Sequence, residues 1–248
     1  MKASRPVLSV TLRRGTVAAL ALALAGAALA QTAARPAAKP AGVAPLGAAS
    51  PAPAPKAGEI KYKTNVKGPA DAPIKVVEFA DFMCPGCQAA SGALRAFFAQ
   101  QGPDINLTFK NFPLDQSCNP GVGRTVHNGA CELAMGAICA SNLGNFWAYH
   151  DRIFSRSWEV ASRQDVIDNA VAVGFEKAKF EACLASPQTR SALAVQIKEG
   201  FEAPVNVTPT LVVNGKKLEA TSQFVATVEE ERRKLAAGKP AAPAPAKK

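Results

Sequence analysis

Histidine and methionine are scarce in this chain of 248 residues: its two histidines, His127 and His150, lie far apart in sequence, and there are three methionines. The scarcity argues against a metal-delivery protein, which needs clustered imidazole or thioether ligands. Acids and aromatics are missing altogether between Gln31 and Gly58, where Ala and Pro dominate. Such a stretch cannot bury a core and reads as a disordered or polyproline-like tether. Long apolar runs are lacking too. The run from Val17 to Leu29 is shorter than the roughly 20 residues of a membrane-spanning helix. Lys2, Arg5, Arg13 and Arg14 precede that run, and Ala28-Leu29-Ala30 ends it, the layout of a cleaved export signal.

Net charge is also missing where it would matter. The formal charge of +10 resides in the leader, in Arg35, Lys39 and Lys56 of the tether, and in Lys239, Lys247 and Lys248 of the tail. Residues 59–238 are formally neutral, so the charge gives no support to a basic nucleic-acid-binding face. The expected organisation is a signal peptide at 1–30, a linker at 31–58, one folded domain at 59–238 and a basic tail at 239–248.

All six cysteines fall inside that domain, and an even count in an exported chain suggests pairing. Cys84-Pro85-Gly86-Cys87 is the most telling stretch. It follows an apolar strand, Ile74–Ala80, and opens an Ala-rich helix, Pro85–Gln101. A helix N-terminus stabilises an anion, so the first cysteine of such a pair is biased toward the thiolate, and the second lies within one turn of it. A structural bridge or half of a metal site has the same spacing.

The alternation of Ile105, Leu107 and Phe109 predicts a strand over Ile105–Asn111, hence a strand-helix-strand unit with parallel strands. Five helical segments follow, at Ala130–Ser141, Phe146–Phe154, Arg163–Val173, Glu176–Ala185 and Gln188–Phe201. Ser162 with Asp165 forms a capping-box pattern, and Ser186-Pro187 is a helix-start signal. Asn214-Gly215 between Thr210–Val213 and Lys216–Leu218 reads as a tight hairpin, and Ser222–Ala236 as a closing helix. The fold class is α/β.

Four segments together resemble the DsbA-like thiol-disulfide oxidoreductases of the thioredoxin superfamily: VVEFADFMCPGC, GNFWAYHDRIF, FEACLAS and VTPTLVVNGKKL. The stretch FPLDQSCNP followed by HNGACELA is also similar to thioredoxin-like domains associated with quinone reductases of the vitamin K epoxide reductase type. The resemblance implies a thioredoxin fold with a helical insertion, about 115–203, between its two halves. It implies that Cys84 is the exposed attacking cysteine, that Cys87 resolves the mixed disulfide, and that Glu78 is a buried acid handling the Cys87 proton. Thr208 and Pro209 match the cis-proline loop that binds an extended client; Phe82 most simply joins the core with the other phenylalanines, while its place next to Cys84 also makes it, with Met83, a candidate for an exposed part of the same groove.

A bridge between Cys118 and Cys131 would close a Gly- and Asn-rich loop and restrict the unfolded chain; the alternative is a second redox pair. The family often carries cysteines at the places of Cys139 and Cys183, which implies that these two pair; two free buried thiols are the alternative. His127 reads as a loop residue and His150 as a helix-face residue. With Gly86 in place of the family's histidine, Cys84 is expected to be less acidic than the roughly 3.5 of DsbA.

The expected function is disulfide formation or exchange in unfolded cysteine-containing secreted proteins, in the periplasm or outside the cell. The protein would use no cofactor beyond its thiols, act as a monomer without nucleic acid, and take a membrane quinone reductase as electron acceptor. The alternatives are a periplasmic disulfide reductase or isomerase and, from another class, a copper-binding assembly factor.

Overall fold

The computed structural model describes residues 65–238. The expected leader, linker and basic tail lie outside these residues. The element order is β1 (Val66–Lys67), β2 (Ile74–Ala80), α1 (Pro85–Gln101), β3 (Ile105–Asn111), α2 (Ala130–Asn142), α3 (Phe146–Phe154), α4 (Arg163–Ala172), α5 (Lys177–Ala185), α6 (Pro187–Glu202), β4 (Thr210–Val213), β5 (Lys216–Lys217), a short 3-10 turn at Thr221–Gln223 and α7 (Phe224–Gly238).

The strands form one sheet in the order β1-β3-β2-β4-β5. β2 and β3 run parallel, with Val76 opposite Leu107 and Glu78 opposite Phe109. β4 pairs antiparallel with the other edge of β2 and sets Leu211 opposite Glu78. Strand β2 is therefore central and paired along both edges. Helices α2 to α6 stand between β3 and β4, which makes the architecture a thioredoxin fold with a helical insertion.

Two apolar clusters hold these parts. Ile74, Val76, Ile105, Leu107, Leu211 and Val213 pack with Phe224 and Val228 of α7. The larger cluster joins Phe82 and Phe109 to Leu133, Tyr149, Ile153 and Phe180, and so fixes the insertion against the sheet. Helix α2 is nearly all buried and lies at the centre of the insertion. It begins after Gly129, whose φ of +100° suits glycine and where a Cβ would stand 1.9 Å from the Ala161 carbonyl oxygen.

The local signals act as expected. The amide of Asp165 donates to Ser162 Oγ at 3.2 Å and the Ser162 amide donates to Asp165 Oδ2 at 2.9 Å, a complete capping box. Asn214 and Gly215 take positive φ values of 45° and 82° in the hairpin turn. β1 was not foreseen, since two residues are too few to show alternation; the helix ends coincide with the expected ones or move by one residue, except in α7, where both move by two.

Candidate functional site

The link between β2 and α1 is Asp81-Phe82-Met83, and Cys84 caps the helix. Pro85 occupies N1, where no backbone N–H is needed. The Cys87 thiol, the Thr208 hydroxyl and the amides of Cys87 and Gly86 all favour the Cys84 thiolate and, against the cost of burial, bring this thiol down to about 5. Cys87 is the opposite: burial, the neighbouring Cys84 and the charge of Glu78 push its thiol far above the ordinary range. The pair is thus split into a ready thiolate and a thiol that holds its proton.

Cys84 is less exposed than an open attacking residue would be, at 9 % against 0 % for Cys87. The reason is the loop before β4, which lies over it: Cys84 Sγ donates to the Thr208 carbonyl oxygen at 3.3 Å. The Thr208-Pro209 peptide is cis. A Cβ on Gly86 would stand 3.3 Å from Pro209 Cδ and 3.6 Å from Cys84 Sγ, so the glycine lets the proline ring approach the helix turn closely. Two sequence segments 124 residues apart are brought together here.

Glu78 is buried in β2, 1 % exposed, and burial lifts its carboxyl to about 8. A solvated strand acid would show neither property. Phe82 and Met83, by contrast, are corrected: they are 3 % and 6 % exposed and do not form an open groove. Phe82 is directed into the core, with its ring 5.2 Å from that of Phe109 and 4.8 Å from that of Phe154. The Met83 amide is held by Asp81 Oδ1 at 2.7 Å, which turns the chain inward just before the reactive cysteine.

Asp81 is the centre of this arrangement and was missed in the sequence. Its amide donates to Cys87 Sγ at 3.4 Å and its carbonyl accepts from the Cys84 amide at 3.1 Å. Its carboxylate accepts from the Leu114 amide at 2.7 Å and lies 2.8 Å from His127 Nδ1. That neighbour raises the imidazole's pKa and favours the charged ring. The only signal in the sequence is an acid directly after an apolar strand and three residues before the cysteine.

The loop carrying His127 is closed by a Cys118–Cys131 disulfide, and a second disulfide, Cys139–Cys183, ties α2 to α5. Cys84 and Cys87 are the free cysteines. His150, read in sequence as a helix-face residue, is buried at 3 % exposure among Phe82, Phe109, Phe146, Trp147 and Phe154. Among the described residues, no three His, Cys, Asp or Glu side chains are grouped as a metal site requires. What the site can do chemically is pass electrons between sulfurs: it pairs an acidic outer thiol with a buried inner one and sets an acid of raised pKa beneath.

Comparison with known proteins follows the same lines. The chain is 28 % identical over 157 residues to the Na(+)/H(+) antiporter NhaA 1 of Mycolicibacterium gilvum, a match covering 62 % of this chain and 24 % of that protein. The matched stretch is therefore a minor part of the antiporter, and among the described residues no helix is long and apolar enough to cross a membrane. Among solved structures, a thioredoxin-like oxidoreductase from Silicibacter pomeroyi superposes with a TM-score of 0.58 at 21 % identity, covering 69 % of this chain and 93 % of that one. BdbD from Bacillus subtilis superposes with a TM-score of 0.57 at 19 % identity, covering 70 % and 94 %. These likenesses establish the fold. The family model described as thioredoxin matches residues 61–230, nearly all of the described part, and the chain belongs to that family.

Proposed function

We propose that this protein is an exported thiol-disulfide oxidoreductase that forms or exchanges disulfides in unfolded cysteine-bearing secreted proteins. The observation that carries this reading is the split between the two thiols of one helical turn, Cys84 down to about 5 and Cys87 far above the ordinary range. A purely structural pair has no use for that asymmetry.

In the oxidised protein, a client thiolate attacks Cys84 Sγ and the Cys84–Cys87 bond breaks. Cys87 leaves with the electron pair and takes a proton from Glu78. A second client thiolate then attacks the client sulfur of the mixed disulfide, and Cys84 leaves as a stabilised thiolate. Two electrons have passed from client to protein, and the client holds a disulfide. An extended client backbone would pair with the Thr208-Pro209 loop, a reading supported by the Thr208 carbonyl's contact with Cys84 Sγ. The electrons need a sink, and a membrane quinone reductase supplies one; no cofactor beyond the thiols takes part. The protein acts as a monomer in the periplasm or outside the cell.

Equilibration of the full chain against glutathione buffers, with Cys84→Ser as control, tests the direction. A potential toward roughly −120 mV supports disulfide formation, while one near −270 mV makes the protein a reductase.

A further inference from the structure

Glu78 Oε1 and His150 Nε2 are buried and have no hydrogen-bond partner among the described residues. A buried polar atom without a partner carries an uncompensated desolvation cost, so two of them call for a reason. Both residues line the same small cavity, together with Ser91, Arg95 and Asp151, and it has room for about one water molecule. A buried imidazole needed only for packing could be another phenyl ring, and five aromatic rings already surround this one.

The opposite edge of the imidazole points outward. His150 Nδ1 lies 2.9 Å from Asp151 Oδ1, and the Asp151 side chain is 41 % exposed. The charged or titratable groups around the ring are Glu78 on β2, Lys67 on β1, Arg95 on α1 and Asp151 on α3. Burial lowers the pKa of His150 despite Asp151, and Asp151 is itself held well below the usual carboxylate range by that hydrogen bond. In the reduced protein, with Cys84 and Cys87 free, the ring at neutral pH is therefore uncharged, with Nδ1–H donating to the carboxylate and Nε2 free to accept; the oxidised protein carries the other tautomer, with the proton on Nε2.

We propose that His150 is a proton-relay residue that acts through Glu78, its Nε2 exchanging a proton with the Glu78 carboxyl across one water and its Nδ1 exchanging with solvent by way of Asp151. The relay rests on the redox function proposed above and adds its proton path. When Cys87 leaves as a thiolate it takes the Glu78 proton; the ring then takes a proton from the surface at Nδ1 as its Nε2–H passes to Glu78. Reoxidation runs the strokes backwards: Glu78 yields its proton to Nε2, Nδ1–H leaves through Asp151, and Glu78 takes the proton of Cys87. One proton enters on reduction and one departs on oxidation, so the tautomers alternate and the ring never has to turn over.

The test measures reduction of the oxidised full chain by dithiothreitol and its reoxidation by oxidised glutathione from pH 5 to 9, with acid quench, alkylation and mass analysis. His150→Phe, which keeps an aromatic ring in place, is expected to slow both directions about tenfold near pH 7. Because a relay changes rates and not equilibria, the potential should hold. In a Glu78→Gln background the same substitution should add no further slowing. Wild-type rates in His150→Phe overturn the relay, and so does a slowing that persists without the Glu78 carboxyl, since a packing defect would behave that way. If His150→Phe does not fold, Asp151→Asn replaces it, with a smaller slowing expected and wild-type rates again overturning the relay. Failure of the wild-type protein to exchange with dithiothreitol would instead refute the redox function itself.

Discussion

Asp81 and His127, 46 residues apart in sequence, meet at 2.8 Å beside the reactive helix turn. Asp81 is fully buried and His127 is largely covered, so the pair couples the Cys118–Cys131 loop to the backbone that holds both reactive sulfurs. The histidine's folded pKa is raised by the aspartate. Its contribution is thus complete below its ordinary value and is lost as pH rises through the raised one. His127→Ala should destabilise the protein by about 1 kcal/mol at pH 6 and by less at pH 9. Urea unfolding at the two pH values measures this, and an equal loss at both would show that the ring serves packing alone.

Cys84 should titrate as a thiolate near pH 5, read from the ultraviolet absorbance of the reduced protein. The largest cause of its acidity is the Cys87 thiol, ahead of the Thr208 hydroxyl. Cys87→Ala is accordingly expected to raise the midpoint more than Thr208→Val does. The reverse order would mean that the loop, and not the partner sulfur, sets the acidity.

Much of this was legible in the sequence because the signals are local. The apolar alternation of β3, the Ser162–Asp165 cap, the Asn214-Gly215 turn and the position of Cys84 before Pro85 each arise within a few residues, and local physics decides them. Glu78 and Thr208-Pro209 needed the resemblance to a family, since nothing nearby says what faces them. Asp81, the partner of His127 and the burial of His150 were not legible because they depend on contacts distant in sequence, 33 and 46 residues for Asp81 and, for His150, the rings of Phe82 and Phe109, made when the insertion folds back on the sheet. Phe82 was open between the core and a groove. Its place beside the cysteine suggested an open surface, but a ring with Phe109, Tyr149 and Phe154 within reach gains more from burial.

Glu78 should make stability fall as pH rises. Its folded pKa is about 8 against an ordinary 4.5, so the folded state binds a proton that the unfolded state has released. Between those values stability declines by about 1.4 kcal/mol per pH unit from this group alone. Glu78→Gln removes the ionisation and should flatten the profile, giving a variant several kcal/mol more stable than wild type at pH 8 and little different at pH 4.5. Thermal unfolding across that range checks the sign. A variant less stable than wild type at pH 8 would mean that the carboxyl gains a partner that compensates its burial.

The Cys118–Cys131 bridge spans 13 residues of sequence, and the loop it closes holds His127 against Asp81. Opening it by Cys118→Ala with Cys131→Ala releases chain entropy in the unfolded state worth about 3 kcal/mol. The folded state also changes. The His127 amide still donates to the Leu114 carbonyl at 3.2 Å, and the Leu114 amide to Asp81 at 2.7 Å, but the segment between them loses its covalent tie. The double variant should therefore lose part of the pH-dependent stability that His127 provides as well as the constant loss from the bridge. Urea unfolding at pH 6 and pH 9 separates the two: a uniform loss of about 3 kcal/mol would make the bridge a plain staple, whereas a larger loss at pH 6 would show that it positions the histidine for Asp81.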